Sequence, residues 1–336
     1  MGDRHVAAAV SRGRVVAVSL VTQDGEIAFG PGEEFRFIRR LIRRFGQLAV
    51  GIGDDAALVH VPRDNMIAIS TDMSVENVHF RRDWLSLNEI GYRATTAALS
   101  DLAAMGASGV GILIGLATPP ESRENLDALG DGIARAAVAA GVGIYGGDTT
   151  RGPVLSLAIT VFGNTRDAMR RDAARAGHHV YVTGVLGGPR AAVRALEECT
   201  PMNAAWRERF ANPRARLREA RWAVGRGARA AIDISDGLVA DAAHVAAASN
   251  VRIAIDLDRV PTIDGVDAID AARSGEEYEL LMTSAIPIDC DAFESRFGIP
   301  LTEIGAVTDG TPGVHVLMKG RPLDVELRGY DHFGSS

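Results

Sequence analysis

The chain has 336 residues, 47% of them hydrophobic, a formal net charge of -7 and two cysteines. That is enough apolar material for a large core and enough length for two domains. The acidic balance argues against a nucleic acid or a polyanionic membrane as partner, and Cys199 and Cys290, with no CxxC spacing, suggest neither a disulfide framework nor a zinc site.

Residues 1–31 carry Val/Ala runs and end at Pro31-Gly32, which reads as a boundary. They are expected to form an N-terminal extension, disordered or a hairpin; AAAVSRGRVVAVSLV is too short and too interrupted by arginine for a secretory signal. No run approaches the roughly 20 apolar residues of a membrane span, so a cytoplasmic protein is expected. From 33 onward Phe35, Ile38, Leu41, Ile42 and Phe45 recur at helical spacing, with a solvated arginine face opposite. MIAISTDM (66–73) predicts a strand, and NEIGYRATTAALSDLAAMGA (88–107) a long helix closed by a glycine cap. GVGILIGLAT is a buried strand, 121–140 a helix, IYGGDTTRG a strand running into a loop and VLSLAITVFG a second buried strand.

After Thr165 a second series begins: HHVYVTG (strand), GPRAAVRALEE and PRARLREARWAVG (helices), ARAAIDIS (strand), DGLVADAAHVAAAS (helix) and VRIAIDL (strand). Strands and helices alternate in both halves, which predicts an α/β (α+β) chain of two domains, 32–164 and 165–336.

The aspartates fall where this architecture places ligands. Asp54 and Asp55 sit in the glycine turn of GIGDDAALV, and Asp72 ends a strand. Asp101 lies in the long helix, Asp148 follows two glycines, and Asp233 and Asp236 bracket Ser235 where a strand becomes a helix. Singly, each has a plain account as a turn residue, an Asx turn or a helix cap. Brought together, each close pair would repel by roughly 4 kcal/mol at an effective dielectric of 20, which calls for hard divalent cations and, with them, phosphate. Other phosphate devices do not fit. GVGIYG matches GxGxxG but leads from a helix into a strand, against the dinucleotide-binding order, no GxxxxGK[ST] occurs, and the one lysine is Lys319. Arg151 and Arg171 are candidates to neutralise phosphate, and no residue pattern suggests a covalent nucleophile.

The series GIGDDAALV, STDMSVENVHF, ALSDLAAMGA, GGDTTRG, AIDISDGLVADAAHVAAAS, GEEYELLMT and GYDHF, in that order from about Gly32 to Phe333, resembles the thiamine-monophosphate kinase family. That family lies within the wider group of aminoimidazole-ribonucleotide-synthetase-like ATP-binding enzymes. The resemblance implies a two-domain fold of that group, with N-terminal sheets pairing into a barrel across a homodimer. It also implies transfer of the γ-phosphoryl group of ATP to thiamine monophosphate with several Mg²⁺ ions. Carried over by position, the metal ligands are Asp55, Ser70, Thr71, Asp72, Asp101, Asp148, Asp233 and Asp236. Gly147, Asp148, Arg171 and Ser235 would hold ATP, and His79, Glu276 and Tyr330 the thiamine phosphate.

An acceptor that is already an ionised phosphate needs dense positive charge and in-line placement, not a general base. The chain departs from the family's usual residues at Ser74 and Asn77, commonly Leu and Gly, and at Ser274 and Glu277, commonly Gly and Asp. It also lacks an arginine at Asn212 and a proline at Ala215. Asn77 is expected to keep a left-handed turn. Two other readings remain at this point: a related ATP-dependent enzyme acting on another phosphate or carbonyl compound, and a catalytically silent ATP- or metal-binding relative.

Overall fold

The structure is a computed structural model that describes residues 40–49, 65–120 and 126–323. Residues 1–31, the GIGDDAALV turn with Asp54 and Asp55, and the terminal GYDHF with Tyr330 lie outside the described residues.

Two sheets organise the chain. The first has the order β1 (Met66–Val75), β4 (Ser156–Thr165), β2 (Ser108–Thr118), β3 (Gly143–Arg151), antiparallel except for the β2–β3 pair. IYGGDTTRG thus stays in a strand as far as Arg151, where the sequence suggests a loop. Two helices, α1 (Leu87–Ala104) and α2 (Leu126–Ala140), are joined to this sheet. Ser86 opens α1 with a capping box: its hydroxyl accepts the Glu89 N–H, and the Glu89 carboxylate accepts the Ser86 N–H. At the other end Gly106 takes φ +63, and the Gly106 and Ala107 N–H groups return to Ala103 and Leu102, closing the helix as its glycine predicts. The helices cross closely because a Cβ on Gly91 would stand 2.2 Å from the Leu129 carbonyl oxygen, and one on Gly132 1.9 Å from that of Asn88. Residues 40–45 are helical and bury Ile42 and Phe45. Their arginine face is not merely solvated, since Arg40 and Arg44 pair with Asp127 and Asp131 of α2.

The second sheet has seven strands in the order β11 (Arg321–Pro322), β10 (Gly313–Met318), β7 (Arg252–Asp256), β9 (Leu301–Thr308), β5 (His179–Thr183), β8 (Leu280–Ser284), β6 (Ala228–Asp233). Its helices are α3 (Gly188–Glu197), α4 (Ala204–Ala211), α5 (Leu217–Val224), α6 (Leu238–Ser249), α7 (Ala268–Ala272) and α8 (Cys290–Phe297). Alternation along the central strands fills both faces. Val180, Val182 and Leu281 enter one core with Leu238 and Val245 of α6, while Tyr181, Leu280 and Met282 enter the other. That other core continues without a break into Leu99 and Leu102 of α1, so α1 is buried between the two domains.

One face of the first sheet has no such cover. Ile67, Ile69 and Met73 are 58%, 69% and 52% exposed, an apolar strip on β1 interrupted by Thr71. Among the described residues, no helix is long and apolar enough to cross a membrane.

Candidate active site

A cleft of about 1110 Å³ opens between the two domains. Strand alternation puts Ser70 and Asp72 on the face of β1 that meets α1, and there the Ser70 hydroxyl donates to the Asp101 carboxylate. Thr71, one residue out of phase, shares a 2.8 Å hydrogen bond with Thr160 on the uncovered face. Asp233 ends β6, and Ser235 and Asp236 follow in the loop before α6. The cleft is lined by Asp72, Asp101, Asp233 and Asp236 at its acidic end, beside Arg171 and Ser235. His79 and Glu276 line it too, with Phe80, Trp84 and Phe210 forming apolar wall.

These carboxylates perturb one another. Burial, then the charge of Asp101, pushes Asp72 up to about 6. Asp233 is pushed up to about 7 by burial first, with Asp101 and Asp72 adding to it. Asp101 also rises through burial, opposed by the Ser70 hydrogen bond and the Arg171 charge. Such a set binds protons or cations. Its donors are oxygens only, as a hard divalent ion requires. Among the described residues no three acidic, imidazole or thiol groups are placed to hold a metal ion by themselves, so an ion here would need water or phosphate oxygens as well, which is the coordination magnesium prefers.

His79 accepts the Val75 N–H at Nδ1 (3.1 Å), so the neutral ring carries its proton on Nε2. Asn77, at the same turn, takes φ 65, the left-handed backbone expected of it. Glu276 pairs with Arg93, a buried guanidinium that also donates to the Phe210 carbonyl and lies 4.5 Å over the Phe210 ring. The cleft lining does not include Gly147 or Asp148. Both are exposed on β3, where the Asp148 carboxylate accepts the Thr149 N–H at 2.9 Å.

The chain matches two family profiles: AIR synthase related protein, N-terminal domain, over residues 53–165, and AIR synthase related protein, C-terminal domain, over residues 175–317. It is 32% identical over 324 residues to the thiamine-monophosphate kinase of Salmonella typhimurium, covering 90% of this chain and 98% of that one. The chain belongs to the thiamine-monophosphate kinase family. The thiamine-monophosphate kinase of Stenotrophomonas maltophilia, a solved structure, superposes with a TM-score of 0.74 at 34% identity, over 82% of this chain and 95% of that one. A solved complex of AaThiL with AMPPCP and TMP gives a TM-score of 0.70 at 28% identity, over 89% and 97%.

Beside the family's motif residues stand groups whose partners the sequence did not reveal. Asp241, inside α6, turns back to accept the N–H groups of Ser235, Asp236 and Gly237 at 3.0, 3.1 and 3.2 Å. The loop that looks like an anion cradle therefore has its amides occupied, and presents side chains to the cleft instead. Burial, with Asp233 and Asp236 nearby, still pushes Asp241 up to about 7. Its sequence signal was an acid at a core position of an alanine-rich helix. Glu277 and Glu279, both fully buried as side chains, pair with Arg209, and Glu279 also with Arg216. Their partners lie more than sixty residues upstream, so no local pattern revealed them.

Proposed function

We propose that this chain passes the γ-phosphoryl group of ATP to the phosphate of thiamine monophosphate, releasing thiamine diphosphate and ADP. The observation that carries this reading is the meeting of Asp72, Asp101 and Asp233, from three elements of two domains, beside Arg171 in one cleft. When bound, Mg²⁺ would neutralise the facing phosphates and align them for in-line transfer.

The chain's own residues then divide the work. Ser70, Asp72, Asp101, Asp233 and Asp236 would hold the metal, the Ser70 hydroxyl also orienting Asp101. Asp55, Thr71 and Asp148 complete the proposed ligand set, and the cleft of a single subunit does not include the latter two. Arg171, Ser235 and Gly147 hold ATP; His79, Glu276 and Tyr330 hold the acceptor. The acceptor oxygen is already ionised, so no side chain has to take a proton. The phenyl and indole groups of Phe80, Trp84 and Phe210 keep bulk water from the reacting phosphates.

The two sheets support a division into domains at 32–164 and 165–336. The uncovered strip on β1 supports a homodimer in which two first sheets close into a barrel; a monomer in sedimentation at micromolar concentration would overturn that. Two free thiols among the described residues suit a reducing cytoplasm. Incubation with ATP, Mg²⁺ and thiamine monophosphate should give thiamine diphosphate and ADP in equal amounts, and none with free thiamine. ADP release only with another acceptor, or bound ATP without turnover, would reject the assignment.

A further inference from the structure

The segment that presents Glu276 to the cleft is held in an unusual backbone. Glu276 and Tyr278 have φ of 56° and 53°, the left-handed region that residues with a Cβ seldom occupy. Both line the cleft, while Glu277 between them is turned inward and is 1% exposed. Such a conformation persists only where surrounding contacts fix it.

Those contacts converge on one side chain. The Glu277 carboxylate accepts the N–H of Gly187, at the start of α3, and a guanidinium N–H of Arg209 at 3.1 Å. Arg209 donates also to the Glu277 carbonyl oxygen at 3.2 Å. Ser274, itself fully buried, hydrogen-bonds Glu277 and accepts the Arg190 N–H at 3.2 Å. Glu277 and Ser274 thus tie the cleft loop to the first turn of α3 and to α4 at once. The glycine and aspartate usual in the family could not build this tie: glycine has no hydroxyl, and aspartate is one methylene shorter. Glu279 offers a contrast, since it is as deeply buried and as fully paired but leads into the regular backbone of β8.

We infer that Glu277, braced by Ser274 and Arg209, is a positioning residue that fixes where Glu276 meets the acceptor, acting on acceptor binding and not on phosphoryl transfer itself. This rests on the proposed role of Glu276 in holding thiamine monophosphate.

Steady-state kinetics of Glu277→Gln, Ser274→Ala and the double variant test it. Glu277→Gln keeps the shape but sets an amide against Arg209. It should raise KM for thiamine monophosphate about tenfold, with kcat and KM for ATP within about twofold. Ser274→Ala should raise the same KM by roughly threefold, and the double variant should do no more than Glu277→Gln alone, because the two act as one unit. A lower thermal midpoint with unchanged KM, or a fall in kcat at constant KM, would overturn the inference. Should Glu277→Gln not fold, Ser274→Ala decides by the same KM. Should the wild-type protein make no thiamine diphosphate, the acceptor assignment fails separately. Amide hydrogen exchange over residues 275–278 then decides the bracing: faster exchange in Ser274→Ala supports it, and unchanged exchange overturns it.

Discussion

Two groups of acids stand close together in this molecule and are partnered differently. Asp72, Asp101 and Asp233 line the domain cleft together, and burial raises all three, with the charge of Asp101 adding at Asp72 and at Asp233. Glu277 and Glu279 are buried more deeply, but Arg209 pairs with both of them and Arg216 with Glu279. Burial opposes the charge of both: it still raises Glu277 against Arg209, Ser274 and the Gly187 N–H, whereas at Glu279 two guanidinium groups, Arg216 and Arg209, outweigh it and hold the acid below its ordinary value. Burial alone therefore does not mark a functional acid. An acid left short of cationic partners at an opening marks a place for a cation to come; one given arginines in the core marks a strut.

The widest way to break this contrast is to neutralise one member of each group. Asp72→Asn or Asp233→Asn should lower kcat by about a thousandfold, because a metal-holding charge is lost at the transferring phosphates. Without Mg²⁺ neither change should lower the unfolding free energy at pH 7, and Asp233→Asn should raise it, since the folded chain no longer keeps a crowded carboxylate. Parallel losses of turnover and stability would assign these residues to the scaffold. Glu279→Gln should behave in reverse. Two buried guanidinium groups lose their shared anion, at about 3–5 kcal/mol of stability, while kcat per folded molecule changes by no more than a few-fold. Chemical denaturation with activity measured at low temperature separates the two effects.

Local signals were legible and distant pairings were not. The glycine that ends NEIGYRATTAALSDLAAMGA marks the close of α1, and MIAISTDM marks β1. The strand-to-helix passage at Asp233 is just as plain. In contrast, α4 was missed because AAWRERFA has little apolar periodicity. It is held by the Asn203 cap and by long-range pairs, Arg207 to Glu89 and Arg209 to Glu279. The strands after VRIAIDL were equally silent in advance, since β8, β9 and β10 take their places by pairing across the sheet. Asp148 shows the converse: its GGD motif is conspicuous, and β3 places it at the edge of the first sheet opposite β1, outside the cleft lining of the single chain. A motif names the chemistry of a residue, whereas its distance from the others depends on strand order.

The smallest effect is the most discriminating, because it reads the acid cluster without relying on turnover. An aspartate in the unfolded chain loses its proton near the ordinary value of 3.8, but Asp72 and Asp233 keep theirs up to about 6 and about 7. Between those values the unfolded chain binds fewer protons, so in the absence of metal these two groups remove stability as pH rises from about 4 to about 7. Other groups titrate over the same range. His178, lowered by burial and by Arg175 and Arg229, removes stability as pH falls below its ordinary 6.5. The raw pH curve is therefore a mixture, and the informative quantity is the difference between Mg²⁺ and chelator at each pH. His178 contributes equally to both arms and cancels. Mg²⁺ competes with protons for the cleft acids, so the stabilisation it gives should be small at pH 5 and reach about 2–3 kcal/mol at pH 8 with the ion near a hundred times its dissociation constant. Urea unfolding in the four conditions measures this. An equal Mg²⁺ effect at both pH values would place the ion on acids of ordinary pKa elsewhere on the surface, and would separate the cleft cluster from metal binding even if turnover were intact.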